Sequence, residues 1–448
     1  MTFLLGTATA AHQVEGNNTH SDFWIQENME HTIFVEPSLD ACDHYNRFEE
    51  DIRLMKEAGL NAYRFSIEWA RIEPEMGKFD ENEIAHYRKV LESCHENGIE
   101  PIVTMHHFSS PKWLITEGGW ESEHTVAYFK NYCQYVAENL GELFTYVCTI
   151  NEANMGIQLA AIIKRITKQM ESNIQVGINM PVMKDYELQM NETTRAFDLS
   201  TGENAHTFLS QRTSFGDELI MRAHEAARDA MKAVCPHLKV GLSLSLHDLQ
   251  AADDTPETIK NVEKEWQEEF LHYTPYIEKD DFLGIQNYTR EIIGVDGIQK
   301  APENAELTQM NYEYYPEALE NVIRKVAESF KGELLVTENG IGTADDERRV
   351  QFIDTALAGV KNCIADGIPV HGYMHWSLLD NFEWQKGYSM TFGLIAVDRQ
   401  TQKRYPNEAF QCWAAMPTSS HEALRREGTA TRGGDCSFSL IIFESCCR

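Results

Sequence analysis

Apolar positions along the chain fall into two alternating rhythms. Tyr45, Phe48, Ile52 and Met55 step by 3, 4 and 3, which places them on one face of a helix that Gly59 ends. A short strand-like run follows, "AYRFSIEW". Ile84, Tyr87, Leu91 and Cys94 repeat the helical stepping, Gly98 stops it, and "EPIVTMHH" comes next. Eight strand-like runs can be read in this way: residues 3–10, 62–69, 100–107, 146–152, 239–246, 282–288, 333–339 and 373–379. Helical stretches such as Asp217–Val234 and Val350–Ala365 lie between them. Eight alternations predict an α/β fold, a single (β/α)8 TIM barrel with a long insertion after strand 4. A doubly wound sheet is the competing architecture, but no glycine-rich phosphate loop follows the first run.

Two stretches break the rhythm. Residues 164–215, in the fourth connection, are polar and rich in Met, Asn and Thr, and are expected to form an insertion or lid over the barrel mouth. Residues 417–448 are rich in Ser, Arg, Gly and Cys without a period. They read as an appendage, disordered or vector-derived, which leaves 1–416 as the catalytic barrel.

Composition narrows the function. With 39 basic against 70 acidic residues the formal net charge is −31, which repels phosphate backbones and anionic lipid and argues against nucleic-acid or membrane partners. The ten cysteines form no C-x-x-C pair, and the 17 histidines include no H-E-x-x-H. We therefore expect buried thiols in a reducing compartment, no metal and no cofactor. "MTFLLGTATAAHQVEG" imitates a signal peptide but lacks a basic start, and no apolar run reaches membrane-spanning length. A cytoplasmic location is expected.

In such a barrel, chemistry collects at the carboxyl ends of the strands. Those ends carry Gln13, Arg64, His107, Asn151, Glu152, Tyr288, Glu338, Asn339 and Trp376, with Glu383 and Trp384 just beyond. Singly, each has a plain structural reading: a rim glutamate, a satisfied core histidine, a packed tryptophan, an arginine paired with Glu68. Together they place two carboxyls, Glu152 and Glu338, across one opening from each other. That is what glycoside hydrolysis needs: one acid to protonate the leaving oxygen and one carboxylate to attack or to activate water. Arg64 would keep one of the two ionised, and burial would keep the other protonated. The tryptophans offer flat faces to a sugar ring.

At these residues the sequence resembles glycoside hydrolase family 1, the β-glucosidase family. The likeness rests on "GTATAAHQVEG", "ACDHYNRFEEDIRLMKEAGLNAYRFSIEWARIEP", "TINEAN", "VTENG", "HWSLLDNFEWQKGY" and "FGLIAVD", in that order over about the first four hundred residues. The resemblance implies a retaining exo-β-glycosidase: a β-glucosidase with β-galactosides and β-fucosides as further substrates, acting on small β-glycosides or cello-oligosaccharides. It assigns Glu152 as acid/base and Glu338 as nucleophile, with Arg64 and Tyr288 steadying the latter. Gln13, His107, Asn151, Glu383 and Trp384 would bind hydroxyls and Trp376 would floor the sugar site. Retention predicts carboxyls roughly 5–5.5 Å apart. Glu152 stands where thioglucosidases of the family have glutamine. Glu383, with Met390 and Thr391, speaks against a 6-phosphoglycosidase. The departures are Ala153 for the usual proline, which predicts a less constrained turn after the acid, Phe108 and Ser109 for Trp and Asp, and Gln286 for Asn. A catalytically weak sugar-binding barrel and a mainly transglycosylating enzyme share the same residues and stay open at this point, as do the natural aglycone and the oligomeric state.

Overall fold

The computed structural model describes residues 2–160 and 180–415. Eight parallel strands close into a barrel: β1 (Leu4–Ala8), β2 (Ala62–Ser66), β3 (Glu100–His106), β4 (Tyr146–Ile150), β5 (Lys239–Ser245), β6 (Phe282–Gln286), β7 (Glu333–Asn339) and β8 (Val370–Trp376). Each pairs with its sequence neighbour, and β8 pairs with β1 in the register Leu4↔Gly372 to Ala8↔Trp376. Buried on both faces, the strands read as nearly continuous apolar runs rather than as alternations.

The outer helices include α1 (His44–Glu57), α2 (Glu81–Glu96), α3 (His124–Leu140), α4 (Ser214–Val234), α5 (Pro256–Glu269), α6 (Ala318–Ser329), α7 (Asp346–Ala365) and α8 (Glu408–Ala415). The predicted faces are the buried ones: Phe48, Ile52 and Met55 in α1, and Ile84, Tyr87, Leu91 and Cys94 in α2. Gly59 and Gly98, at φ +75° and +71°, turn the chain out of these two helices in a conformation that other residues adopt only at a cost.

Three expectations shift. β8 spans Val370–Trp376, three residues ahead of the predicted run, because the backbone leaves the barrel at Ser377 and bonds instead to Phe392 and Leu394. The helices α4 and α7 start earlier than their apolar stripes, at the caps supplied by Thr213 and Asp345. The part of the 164–215 stretch that is described is a helix, Met180–Ala196, followed by a packed connection. Phe197 and Phe208 are fully buried, and the Glu192 carboxylate accepts the backbone N–H groups of Glu30 and His31. From Ser214 the chain already belongs to α4. The rest of that predicted lid, and the predicted appendage at 417–448, lie outside the described residues. Among the described residues no helix is long and apolar enough to cross a membrane.

Candidate active site

At the carboxyl end of the barrel lies a cavity of about 450 Å³. Its wall includes His107, Asn151, Glu152, Tyr288, Glu338, Trp376, Glu383 and Trp384, so the strand-end residues predicted from the sequence converge. Arg64 and Gln13 do not line it and act from behind the wall. Asn339 serves the frame, donating to the Asn287 carbonyl and accepting from the Tyr373 hydroxyl.

Glu338, next to last in β7, is gripped from two sides. Arg64 Nη1 donates to its Oε1 at 2.5 Å and the Tyr288 hydroxyl donates to its Oε2 at 2.7 Å. Arg64 is fully buried and pairs here rather than with Glu68. Its other terminal nitrogen, Nη2, donates to Asn151 Oδ1 at 2.6 Å. That oxygen also receives Gln286 Nε2 at 2.6 Å and the Ser243 hydroxyl at 3.3 Å. With its oxygen committed, Asn151 turns its amide nitrogen toward His107 Nε2, 3.2 Å away.

Glu152 sits one residue beyond Asn151, at φ +44°, a left-handed conformation that costs a non-glycine residue of order 1–3 kcal/mol. Its carboxyl receives no hydrogen bond from any described residue. The turn that carries it is nevertheless firmly held, which corrects the expectation drawn from Ala153. The N–H groups of Glu152 and Ala153 donate to Ser243 Oγ and O, and Arg212 donates to the Ala153 carbonyl at 2.7 Å. Asn154 ties the same turn to Ser245 and to the Glu269 carbonyl. An alanine N–H, which proline lacks, supplies one of these bonds.

The electrostatics separate the two carboxyls. Burial and the neighbouring charge of Glu338 push Glu152 well above the usual carboxylate range, with Arg64 acting in opposition. Burial also raises Glu338, but the charge of Arg64 and the bonds from Tyr288, Arg64 and Gln286 pull it back. Of the two, Glu152 holds the proton. Burial and Arg64 keep His107 far below its ordinary pKa, so it is neutral. Glu383, in the connection after β8, is pushed up to about 8 by burial and by Glu338, against a bond from Gln13. Trp376 lies 5.6 Å from His107, ring centre to ring centre, and nearly parallel to it.

Several residues in the wall or behind it were not foreseen as parts of the site. Ser243 and Gln286 hold Asn151, and their roles depend on which strands are neighbours. His247, Glu269, Met310, Tyr312 and Lys386 come from loops and helix ends. Thr391 spends its hydroxyl on the Thr343 carbonyl and on Gln309. Among the described residues no group of three or more His, Cys, Asp or Glu could hold a metal ion.

Comparison with known proteins agrees with this fold. The family described as Glycosyl hydrolase family 1 matches residues 1–178 and 269–422. The chain is 31% identical over 440 residues to Beta-glucosidase A of Acetivibrio thermocellus, covering 90% of this chain and 94% of that protein. It is 29% identical to the Beta-glucosidase of an Agrobacterium species, covering 92% and 94%. Among solved structures, beta-glycosidase BGL167 is 40% identical with a TM-score of 0.84, covering 97% of this chain and 99% of that one. The apo structure of beta-glucosidase 1317 is 38% identical with a TM-score of 0.82, covering 94% and 98%. The chain belongs to glycosyl hydrolase family 1. It is a glycoside hydrolase of the retaining class, built on a (β/α)8 barrel.

Proposed function

We propose that this protein is an exo-acting β-glucosidase that removes terminal non-reducing β-D-glucosyl residues from small β-glycosides or cello-oligosaccharides by double displacement, with β-galactosides and β-fucosides as further substrates. The observation that carries the reading is the contrast between its two buried carboxyls: Glu338 is clamped by Arg64 and Tyr288, and Glu152 shares its cavity without a donor among the described residues.

In this reading Glu338 attacks the anomeric carbon while Glu152 gives its proton to the glycosidic oxygen. The C1–O bond breaks, the alcohol leaves, and a glycosyl ester remains on Glu338. Glu152, now a carboxylate, takes a proton from water as that water attacks the same carbon, and Glu338 is released. Asn151 holds the 2-hydroxyl, where bonds strengthen in the transition state. His107, Glu383 and Trp384 bind the other hydroxyls, Trp376 floors the ring, and Gln13 steadies Glu383 from behind.

Residues 1–416 form the catalytic unit in this proposal, and its compartment is the reducing cytoplasm. None of the seven described cysteines is in a disulfide, and six of them are buried, as suits such a compartment.

The test is a panel of aryl and alkyl β- and α-glycosides, including a 6-phosphoglucoside, with two variants. Hydrolysis confined to unphosphorylated β-glycosides is expected, and Glu338→Gln should lower it by roughly 10⁴-fold or more. Glu152→Ala should be rescued by azide on an activated substrate to give the β-glucosyl azide. An α-azide product, or full activity in Glu338→Gln, would overturn the assignment.

A further inference from the structure

The connection that runs into α4 is anchored before it reaches the site. The Thr116 hydroxyl donates to the Phe197 carbonyl at 2.9 Å, and the backbone N–H of Trp120 donates to the His206 carbonyl at 2.9 Å. Glu121 accepts both the backbone N–H and the hydroxyl of Thr213. Phe208, fully buried, packs its ring 4.8 Å from that of His106 and 5.8 Å from that of Phe108. Pinned at both ends to the connection after β3, this stretch is a fixed brace, and it sends Arg212 inward.

Arg212 is buried, and its described hydrogen bonds go to backbone carbonyls: Nη1 donates to Ala153 at 2.7 Å and Nη2 to Phe208 at 3.0 Å. Its guanidinium lies over the Phe208 ring, 4.7 Å from the ring centre. Gly156 lets the guanidinium come close, since a Cβ there would stand 2.4 Å from its central carbon. A buried guanidinium ordinarily faces a carboxylate. Asp217, the acid that acts on it most, is instead engaged by His272 and Tyr273. Burial pushes the Arg212 pKa down to about 10, with Asp217 in opposition, so the group stays charged at neutral pH. A charged donor on the carbonyl next to Glu152 fixes that peptide more firmly than a neutral one would.

We infer that Arg212 is a positioning residue for the proton transfer of Glu152: it holds the peptide after the acid, so that the left-handed backbone at Glu152 keeps its carboxyl aimed at the glycosidic oxygen. The inference rests on the glucosidase reading above and adds a residue that acts on the reaction without lining the cavity. Arg212 is not among the charges that chiefly set the Glu152 pKa, so it works on direction rather than on acidity. The family's usual proline would stiffen this turn from within. With Ala153 in its place, the chain clamps the turn from outside.

The experiment compares kcat/KM for phenyl β-D-glucoside, whose leaving oxygen needs a proton, with that for a dinitrophenyl β-D-glucoside, whose leaving group departs as a stable anion. Because kcat/KM ends at C1–O cleavage, the second displacement does not enter. The phenyl-to-dinitrophenyl ratio reports proton donation and is internal to one preparation, so a partly unfolded variant still gives it. Glu152→Ala should lower the ratio by about 10²- to 10⁴-fold. Arg212→Met removes both bonds at similar volume and should lower it by about tenfold or more. Arg212→Lys keeps the charge but cannot span both carbonyls, and should lower it by about threefold. Adding Arg212→Met to Glu152→Ala should leave the ratio where Glu152→Ala alone puts it. A ratio unchanged in both Arg212 variants, or one that Arg212→Met lowers as far in the Glu152→Ala background as in the native one, overturns the inference and leaves the glucosidase reading standing. If Glu152→Ala itself spares the ratio, the acid assignment fails and this inference with it.

Discussion

A carboxyl group withdrawn from water keeps its charge only where donors replace the lost hydration. Glu338 has Arg64 and Tyr288 as such donors, and Glu152 has no described counterpart, so burial acts on two like residues with different results. The Tyr288 bond lowers the Glu338 pKa, and its removal must raise it. In the proposed mechanism activity requires ionised Glu338, so Tyr288→Phe should shift the acid limb of the kcat/KM profile to higher pH and lower the plateau by about 10- to 100-fold, a donor's usual worth in a water-poor site. A pH profile of the variant checks both, and an unmoved acid limb would mean that Tyr288 does not tune Glu338. Both carboxyls were legible in the sequence because a polar residue ending an apolar strand is conspicuous and the motifs around them match a family. Gln286 was visible only as a departure from that family, and Ser243 not at all. Their work on Asn151 arises from the parallel pairing of β4, β5 and β6, a relation between distant segments that no local pattern carries.

At the scale of elements, the helix stripes and strand runs were readable because burial on one or both faces imposes its own period. Their ends were less so. The hydrophobicity of β8 continues into Leu378 and Leu379, which are buried but lie outside the barrel. The start of α7 is set by a capping carboxylate rather than by its apolar stripe. Connections between elements were the least legible, and one of them acts on Glu152. Glu269, the last residue of α5, binds His247 on the loop after β5. Burial opposes charge on His247, but Glu269 prevails and raises its pKa to about 9, so a cation lines the cavity at neutral pH. The charges acting on Glu152 are then Glu338 and Glu383, which raise its pKa, and Arg64 and His247, which lower it. Removing the His247 charge must let the Glu152 pKa rise. Since Glu152 acts as an acid in the proposed mechanism, His247→Asn should move the basic limb of kcat/KM to higher pH, and Glu269→Gln should move it the same way by letting His247 lose its proton. A basic limb that stays put or moves down in both variants would show that the pair does not act on Glu152.

For the whole molecule, buried titratable groups in and around the site make folding depend on pH in a direction that can be worked out. His106 and His375, with pKa values held down to about 3 by burial, and His107, also lowered, are neutral when folded, whereas the unfolded chain protonates them below roughly pH 6.5. Their contribution to stability is present above that pH and is lost as pH falls through it. Glu68 and Glu383 behave in the opposite sense. Burial raises them to about 7 and about 8, so the folded state keeps protons that the unfolded chain releases near pH 4.3. Stability falls as pH rises between those values. The two effects oppose each other below roughly pH 6.5, and above it the carboxyls act together with His247, whose pKa of about 9 makes stability fall in the same direction as pH rises. The melting temperature should therefore decline from about pH 6.5 to about pH 8, on top of the repulsion within a chain of net charge −31. Glu383→Gln removes one titrating group while preserving its shape and its contact with Gln13. Its melting temperature should exceed that of the native protein by a margin that widens from pH 5 to pH 8 and then levels, while hydrolysis of β-glucosides drops because the proposed sugar contact is lost. Calorimetry of the two proteins across that range decides the matter: a margin that does not grow with pH would mean that Glu383 is ionised throughout and that its burial costs the fold nothing.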